Sequence, residues 1–213
     1  MLYSYSLIRI FLAMGLAGML TACGGGGGSN SDSATATSLA QYQGTWSGTC
    51  DPIINGGGTT VGSTRNSFTI PSGINSVTVS SNDSYYTTTN CTGPLAASVS
   101  VSSITLTFQG TKSVNGVDAV RIEATLPAGT PTFSGAAAFI GSCSGAIQLI
   151  VSVGSSSTCY PIPTTITTAK DIFSFLSMTS PPTFETGDDS VPADANGYPS
   201  AFLPASTGRY TRQ

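Results

Sequence analysis

The sequence predicts an all-β domain of about eight to ten antiparallel strands, closed into a barrel or stacked as a sandwich. Three observations predict it. From residue 41 onward apolar residues recur at every second position, the period of a strand with one face on a core and one in water. The alternating runs are short and separated by clusters of Gly, Pro, Asn and Ser. Polarity comes from Ser, Thr and Asn, since only 8% of the residues are charged. Of the two architectures, an up-and-down barrel leaves no open edge, which favours it.

Ahead of the strands, Arg9 precedes an apolar run from Ile10 to Leu20, and no acid occurs before Asp32. That is the layout of an export signal. The run is shorter than the roughly 20 apolar residues a spanning helix needs, and glycines succeed it in place of a basic cluster. Leu20, Thr21, Ala22 and Cys23, with Gly24 to Gly28 directly after them, resemble the lipobox of bacterial lipoproteins. The resemblance implies a type II signal peptide over residues 1–22, diacylglyceryl transfer to the Cys23 sulfur, cleavage after Ala22 and acylation of the freed amine. The partner would be a lipid bilayer, held firmly because each buried methylene of several acyl chains contributes about 0.8 kcal/mol. Gly24 stands where an Asp would signal retention at the inner membrane, so the expected address is the periplasmic face of the outer membrane. A surface-facing orientation stays open.

Residues 23–40 read as a lipidated tether rich in Gly, Ser and Thr. A flexible coil of about 15 residues holds the β domain on the order of 20 Å from the bilayer. Residues 41–213 are enough for one domain with its own core. Loss of Arg9 with the signal leaves six cationic side chains against ten anionic ones, which argues against nucleic acid as a partner. Cys23 accounts for the odd cysteine of five, and Cys50, Cys91, Cys143 and Cys159 remain, allowing three connectivities. Sequence order and hairpin logic favour Cys50 with Cys91 and Cys143 with Cys159. A thiol metal site fits poorly, because the spacings lack a short Cys pair and the chain has no histidine.

The strand candidates begin in the seventies. Val77 and Val79 alternate with Ser76, Thr78 and Ser80; Val99 and Val101 continue the period through Ser103. Ile104, Leu106 and Phe108 alternate with threonines, and Val120, Ile122, Ala124 and Leu126 with Arg121, Glu123 and Thr125. Ser81 to Ser84, Gly93 with Pro94, Asn115 with Gly116, and Pro127 to Gly129 supply the turns between them. Ala146 to Val153, Ile162 to Thr168 and Lys170 to Met178 are later strands, after which prolines and glycines from Pro181 to Gly208 cut the tail into loops and very short strands.

Some of these segments resemble lipocalin-like (calycin-type) domains of uncharacterised proteobacterial lipoproteins. Tyr42 to Cys50, with Gly44 two residues before Trp46, is similar to the first strand of such domains, and Tyr86 to Gly93, with its Cys-Thr-Gly step, to the strand whose cysteine bridges back to the first. Gly116 to Asp118, Lys170 to Ile172, Asp194 to Pro199, and Arg209 with Tyr210 are similar to later landmarks. The resemblance covers roughly residues 41–128 and 166–212. It implies a single lipocalin-like barrel in which Trp46 plugs the closed end beneath Arg209 or Arg212, with Phe133 to Thr165 as an inserted disulfide hairpin.

Little in the chain points to catalysis. Gly141-Ser142-Cys143-Ser144-Gly145 has the form of a nucleophile elbow, but no histidine base and no α/β pattern support one, and a structural disulfide is the better reading of Cys143. Gly56 to Gly58 lack the lysine and helix of a phosphate loop and read as a hairpin tip. Glu185, Asp188, Asp189, Asp194 and Asn196 gather oxygen donors, yet their spacing is not that of a calcium loop and Pro192 interrupts them. Neither a metal nor a cofactor is expected. Asp118 with Glu123, or Asp51 near Arg65, are the carboxylates a hydrolase would have to use. The sequence thus predicts a non-enzymatic, outer-membrane-anchored periplasmic lipoprotein with a structural or protein-interaction role. The competing readings are a cup for a small apolar ligand and, behind it, a carboxylate-dependent hydrolase.

Overall fold

Alternation in the sequence becomes alternation in burial most plainly in Ser76–Tyr86, where Val77, Val79, Ser81, Asp83 and Tyr85 are buried and the residues between them face outward. The computed structural model describes residues 38–177 and 181–213; the expected signal, Cys23 and most of the tether lie outside them. Among the described residues the strands, in chain order, are β1 (Gly44–Gly48), β2 (Asp51–Ile54), β3 (Thr60–Ile70), β4 (Ser76–Tyr86), β5 (Leu95–Val114) and β6 (Val117–Leu126). After them come β7 (Thr132–Ser134), β8 (Ala138–Cys143), β9 (Ala146–Val153), β10 (Ser156–Pro161), β11 (Thr167–Ser177), β12 (Thr183–Thr186) and β13 (Arg209–Arg212). A 3-10 turn, Leu39–Tyr42, precedes β1, and one helical turn, Ala205–Gly208, precedes β13.

β5 joins two runs that the sequence presents separately. Ala97, Val99 and Val101 are buried at odd positions, Ile104 and Leu106 at even ones. The phase changes at Ser102 and Ser103, where Ser103 takes a left-handed φ of 61° and three residues of β5 span two of β4. That extra residue is a β-bulge, and it keeps both halves facing one core. At the far end of β5, Asn115 (φ 54°) and Gly116 (φ 80°) form the two-residue turn that their pairing predicts. Ile162 to Thr168 is not one strand: Pro161 and Pro163 end β10, and β11 begins only at Thr167.

The strands form two sheets. The larger holds ten strands in the order β1-β13-β12-β11-β6-β5-β4-β3-β2, with β7 added beside β5, and the smaller holds β10-β9-β8. This corrects the expectation of one lipocalin-like up-and-down β-barrel. Strands β2 to β6 and β11 to β13 follow one another in the sheet as in the sequence, but two connections break that order: β1 pairs with β13 and with β3 rather than with β2, and β6 pairs with β11 across four intervening strands. The path of the large sheet runs on past the contact of β1 with β3 to β2 at a free edge, and the sheet is not a barrel. The physical reason lies partly in the strands between β6 and β11. β8, β9 and β10 carry an apolar face of their own and pair with each other, so they pack against the large sheet and do not extend it.

Three apolar clusters result. The largest runs from Leu39, Tyr42 and Trp46 through Phe68, Ile104 and Ile122 to Phe173 and Phe184. A second joins Tyr85, Ala97 and Val99 of the large sheet to Leu149, Val151 and Val153 of the small one. A third, Val114, Ala119, Ile172 and Tyr198, seats the C-terminal loops on β5, β6 and β11.

Candidate functional site

The end of the large core is built around Trp46. The Ser38 side chain caps the 3-10 turn, and Trp46 Nε1 donates to the Tyr42 carbonyl at 2.6 Å while the Tyr42 hydroxyl donates to the Phe173 carbonyl at 3.0 Å. Burial pushes the Tyr42 phenol far above its ordinary pKa. Phe184 stands at the centre, its ring 4.6 Å from Trp46, 5.4 Å from Tyr42, 5.2 Å from Phe173 and 5.3 Å from Tyr210. Arg212 lies over the indole at 4.8 Å and donates to the Gln41 carbonyl at 2.9 Å. Gly44, at φ 137°, leaves room for it: a Cβ there would lie 3.0 Å from Arg212 Nε. The structure therefore brings Trp46 and Arg212 together. Arg209 instead pairs with Glu185 at 3.2 Å. In a sheet that is not a barrel, Trp46 and Arg212 seal the end of a packed core, and the space beside the indole is filled by aromatic rings.

Both expected disulfides are present. Cys50–Cys91 ties the link between β1 and β2 to the loop after β4, and the Cys91 amide is held further by Ser63 Oγ at 2.9 Å. Cys143–Cys159 ties β8 to β10. Cys143 ends an antiparallel strand that turns at Ser144 and Gly145, so the nucleophile-elbow pattern belongs to a hairpin and its sulfur is bonded.

The acidic residues are used by their own loops. Asp188 accepts from the Ser190 amide and hydroxyl. Asp194 accepts from Lys112 at 2.7 Å and from the amides of Asn196 and Tyr198. Burial raises the Asp194 pKa, but these donors outweigh it and the net shift is downward. Asp118 and Glu123, five residues apart on β6, point to opposite faces, and Asp51 accepts from Thr49 at 3.1 Å. Among the described residues no group of three or more His, Cys, Asp or Glu side chains could hold a metal. Asp171 is a strongly perturbed carboxyl: burial pushes its pKa up to about 7, against the pull of the Ile172 and Gly187 amides and with some help from Asp189.

No family model matches the chain, and no curated protein or solved structure matches it either. The resemblance to lipocalin-like domains is thus without support from relatives as well as from topology. One feature of the small sheet escapes a reading by alternation alone. From Ala124 to Ala169, 46 consecutive residues, the chain contains no Asp, Glu, Lys or Arg. That run includes all of β7 to β10, and Phe139, Ile140 and Ile147 stand exposed on β8 and β9. Charge spacing, rather than hydrophobic period, was the signal that could have marked this surface.

Proposed function

We propose that this chain is an exported lipoprotein, held at the periplasmic face of the outer membrane through acylated Cys23, whose β domain works by contact with protein. The observation that carries surface contact over a ligand cup is the filled interior. Trp46, Tyr42, Phe68, Phe173, Phe184 and Tyr210 occupy, edge against face, the volume a small apolar ligand would need. Carboxylates spent on loop amides and ion pairs give hydrolysis no positive support. The uncharged, partly apolar small sheet supplies a surface suited to a partner.

Two measurements test the reading. Mass spectrometry of the membrane-extracted protein should find acyl mass on a peptide beginning at Cys23; an unmodified Cys23 peptide would refute the anchor. The chain has one tryptophan, so titration with a long-chain fatty acid reads the core directly. Trp46 emission should stay unchanged, and saturable quenching would restore the cup.

A further inference from the structure

The loop from Asp188 to Ala201 is bonded to itself and seated on the large sheet by cations. At its neck the Asp188 amide donates to the Ala201 carbonyl at 2.8 Å and the Leu203 amide to the Thr186 carbonyl at 3.0 Å, beside the Gly187–Phe202 bridge. Within it, Asp194 Oδ1 accepts from the amides of Asn196 and Tyr198, and the Ser200 hydroxyl donates to the Pro192 carbonyl. Ends that meet and a body bonded to itself make an Ω-loop, which can move as one piece. On the sheet side, Lys112 Nζ of β5 donates to Asp194 Oδ2 at 2.7 Å and to the Pro199 carbonyl at 2.9 Å, and Lys170 Nζ of β11 donates to the Asn196 carbonyl at 2.7 Å. Tyr198 rests on an apolar floor of Val114, Ala119 and Ile172. Arg121 of β6 stands 5.5 Å from its ring centre and Lys170 5.1 Å.

We propose that this floor and its three cations form a docking site for a protein segment that presents a carboxylate four residues before a tyrosine on a turn, with the loop as its built-in competitor. The seated loop shows what the site recognises. A floor of aliphatic side chains between two cations accepts an aromatic ring, and the Lys112 ammonium accepts a carboxylate. The bonds to the Asn196 and Pro199 carbonyls demand the turn of the backbone, not its sequence. Lys112, Arg121 and Lys170 are three of the six cations beyond the expected signal, gathered in one place on a chain with ten acids. Glu123, opposite Lys170, offsets one of them. Such a local excess steers an acidic partner. The loop is an incomplete ligand: Arg121 Nε is buried and has no acceptor among the described residues, so a segment with a further acidic group can outcompete it. Its hold is also releasable. The side chains of the Lys112–Asp194 pair are 17% and 27% exposed, and salt weakens a partly exposed pair. The inference rests on the protein-contact role proposed above and adds to it a second surface and the chemistry of the partner.

The test uses the full-length chain in detergent and, as probe, a fluorescent peptide of residues 192–200. Asp194→Ala together with Tyr198→Ala empties both seats, and Trp46 emission with a non-reducing gel reports whether this variant is folded. Fluorescence anisotropy should show saturable binding of the peptide, at least about tenfold tighter to the variant than to the parent, whose tethered loop holds the site at high effective concentration. Lys112→Gln added to the variant, or Tyr198→Ala in the peptide, should each weaken binding about tenfold. No saturable binding, equal binding to parent and variant, or equal binding of a scrambled peptide would overturn the proposal. A second measurement, hydrogen exchange in the unaltered chain, does not depend on the folding of any variant. Raising the salt should release protection in residues 188–201 while β5, β6 and β11 keep theirs. Release only together with those strands would overturn a loop that lifts on its own. The mass of the Cys23 peptide tests the anchor separately, so an acylated chain that binds no peptide refutes this site and leaves the anchor in place.

Discussion

Trp46 is held by a hydrogen bond, an aromatic edge and a guanidinium together. Removing the indole should be among the costliest single changes in the chain: Trp46→Ala is expected to lose about 3–5 kcal/mol in a denaturant titration. Arg212→Ala keeps the ring but removes the cation over it and should cost about 0.5–2 kcal/mol, with a shift in Trp46 emission. An Arg212→Ala protein with unchanged emission would contradict the contact. Asp171 makes a pH prediction. Its folded pKa, about 7, lies above the ordinary 3.8, so the folded state holds the proton more tightly than the unfolded state between those values. Its contribution to stability is therefore fully present below about 3.8 and is lost as pH rises through about 7. Asp194, shifted downward, works in the opposite sense and loses its contribution as pH falls. Melting temperature measured from pH 4 to 8 should fall more steeply with pH in the parent than in Asp171→Asn; equal slopes would disprove the assignment.

At the scale of elements, what the sequence shows is what is local. The turn at Asn115 and Gly116, the alternation of β6 and that of the first half of β4 are legible because a backbone preference or a period of two needs no knowledge of partners, whereas Ser81 to Ser84, which read as a turn, continue β4 to Tyr86. Both disulfides were legible from order. The bulge at Ser103 was hidden, since two runs out of phase read as two strands until a neighbour shows that they share one ladder. Sheet membership was hidden as well, because an alternating strand looks the same whichever sheet it joins. Gly62 shows how closely the two sheets meet. A Cβ there would lie 2.5 Å from the Tyr86 carbonyl oxygen and 2.5 Å from Val153 Cγ1, so the residue must be glycine for β3 to approach both β4 and β9. Gly62→Ala should destabilise by about 1–3 kcal/mol, as overpacking does. Gly56→Ala, with nothing within 4 Å, should be close to neutral by the same thermal melt. Comparable losses at both positions would remove the packing argument.

For the whole molecule, the division into two sheets predicts two levels of stability. Along β4, buried Ser81 and Asp83 separate Val79 of the large cluster from Tyr85 of the second. Asn66 bonds both, donating to Ser81 at 2.9 Å and to Asp83 at 2.9 Å, so the polar layer is bonded across β3 and β4. Beyond it, the hydroxyls of Tyr85 and Tyr160 join the sheets, and burial, aided by Asp83, pushes the Tyr160 phenol well above its ordinary pKa. The polar layer divides the two apolar clusters, and the small sheet carries a cross-link of its own. The Cys143–Cys159 bond, closing a separation of 16 residues, should contribute roughly 3 kcal/mol by the chain-entropy relation. Replacing both cysteines by serine should therefore loosen β8 to β10 before it loosens the Trp46 core. Hydrogen exchange by mass spectrometry reads this segment by segment. Protection is expected to fall in residues 138–161 and to hold in β1, β12 and β13. An equal fall in all of them would mean that the two sheets unfold as one unit, with the polar layer forming no boundary.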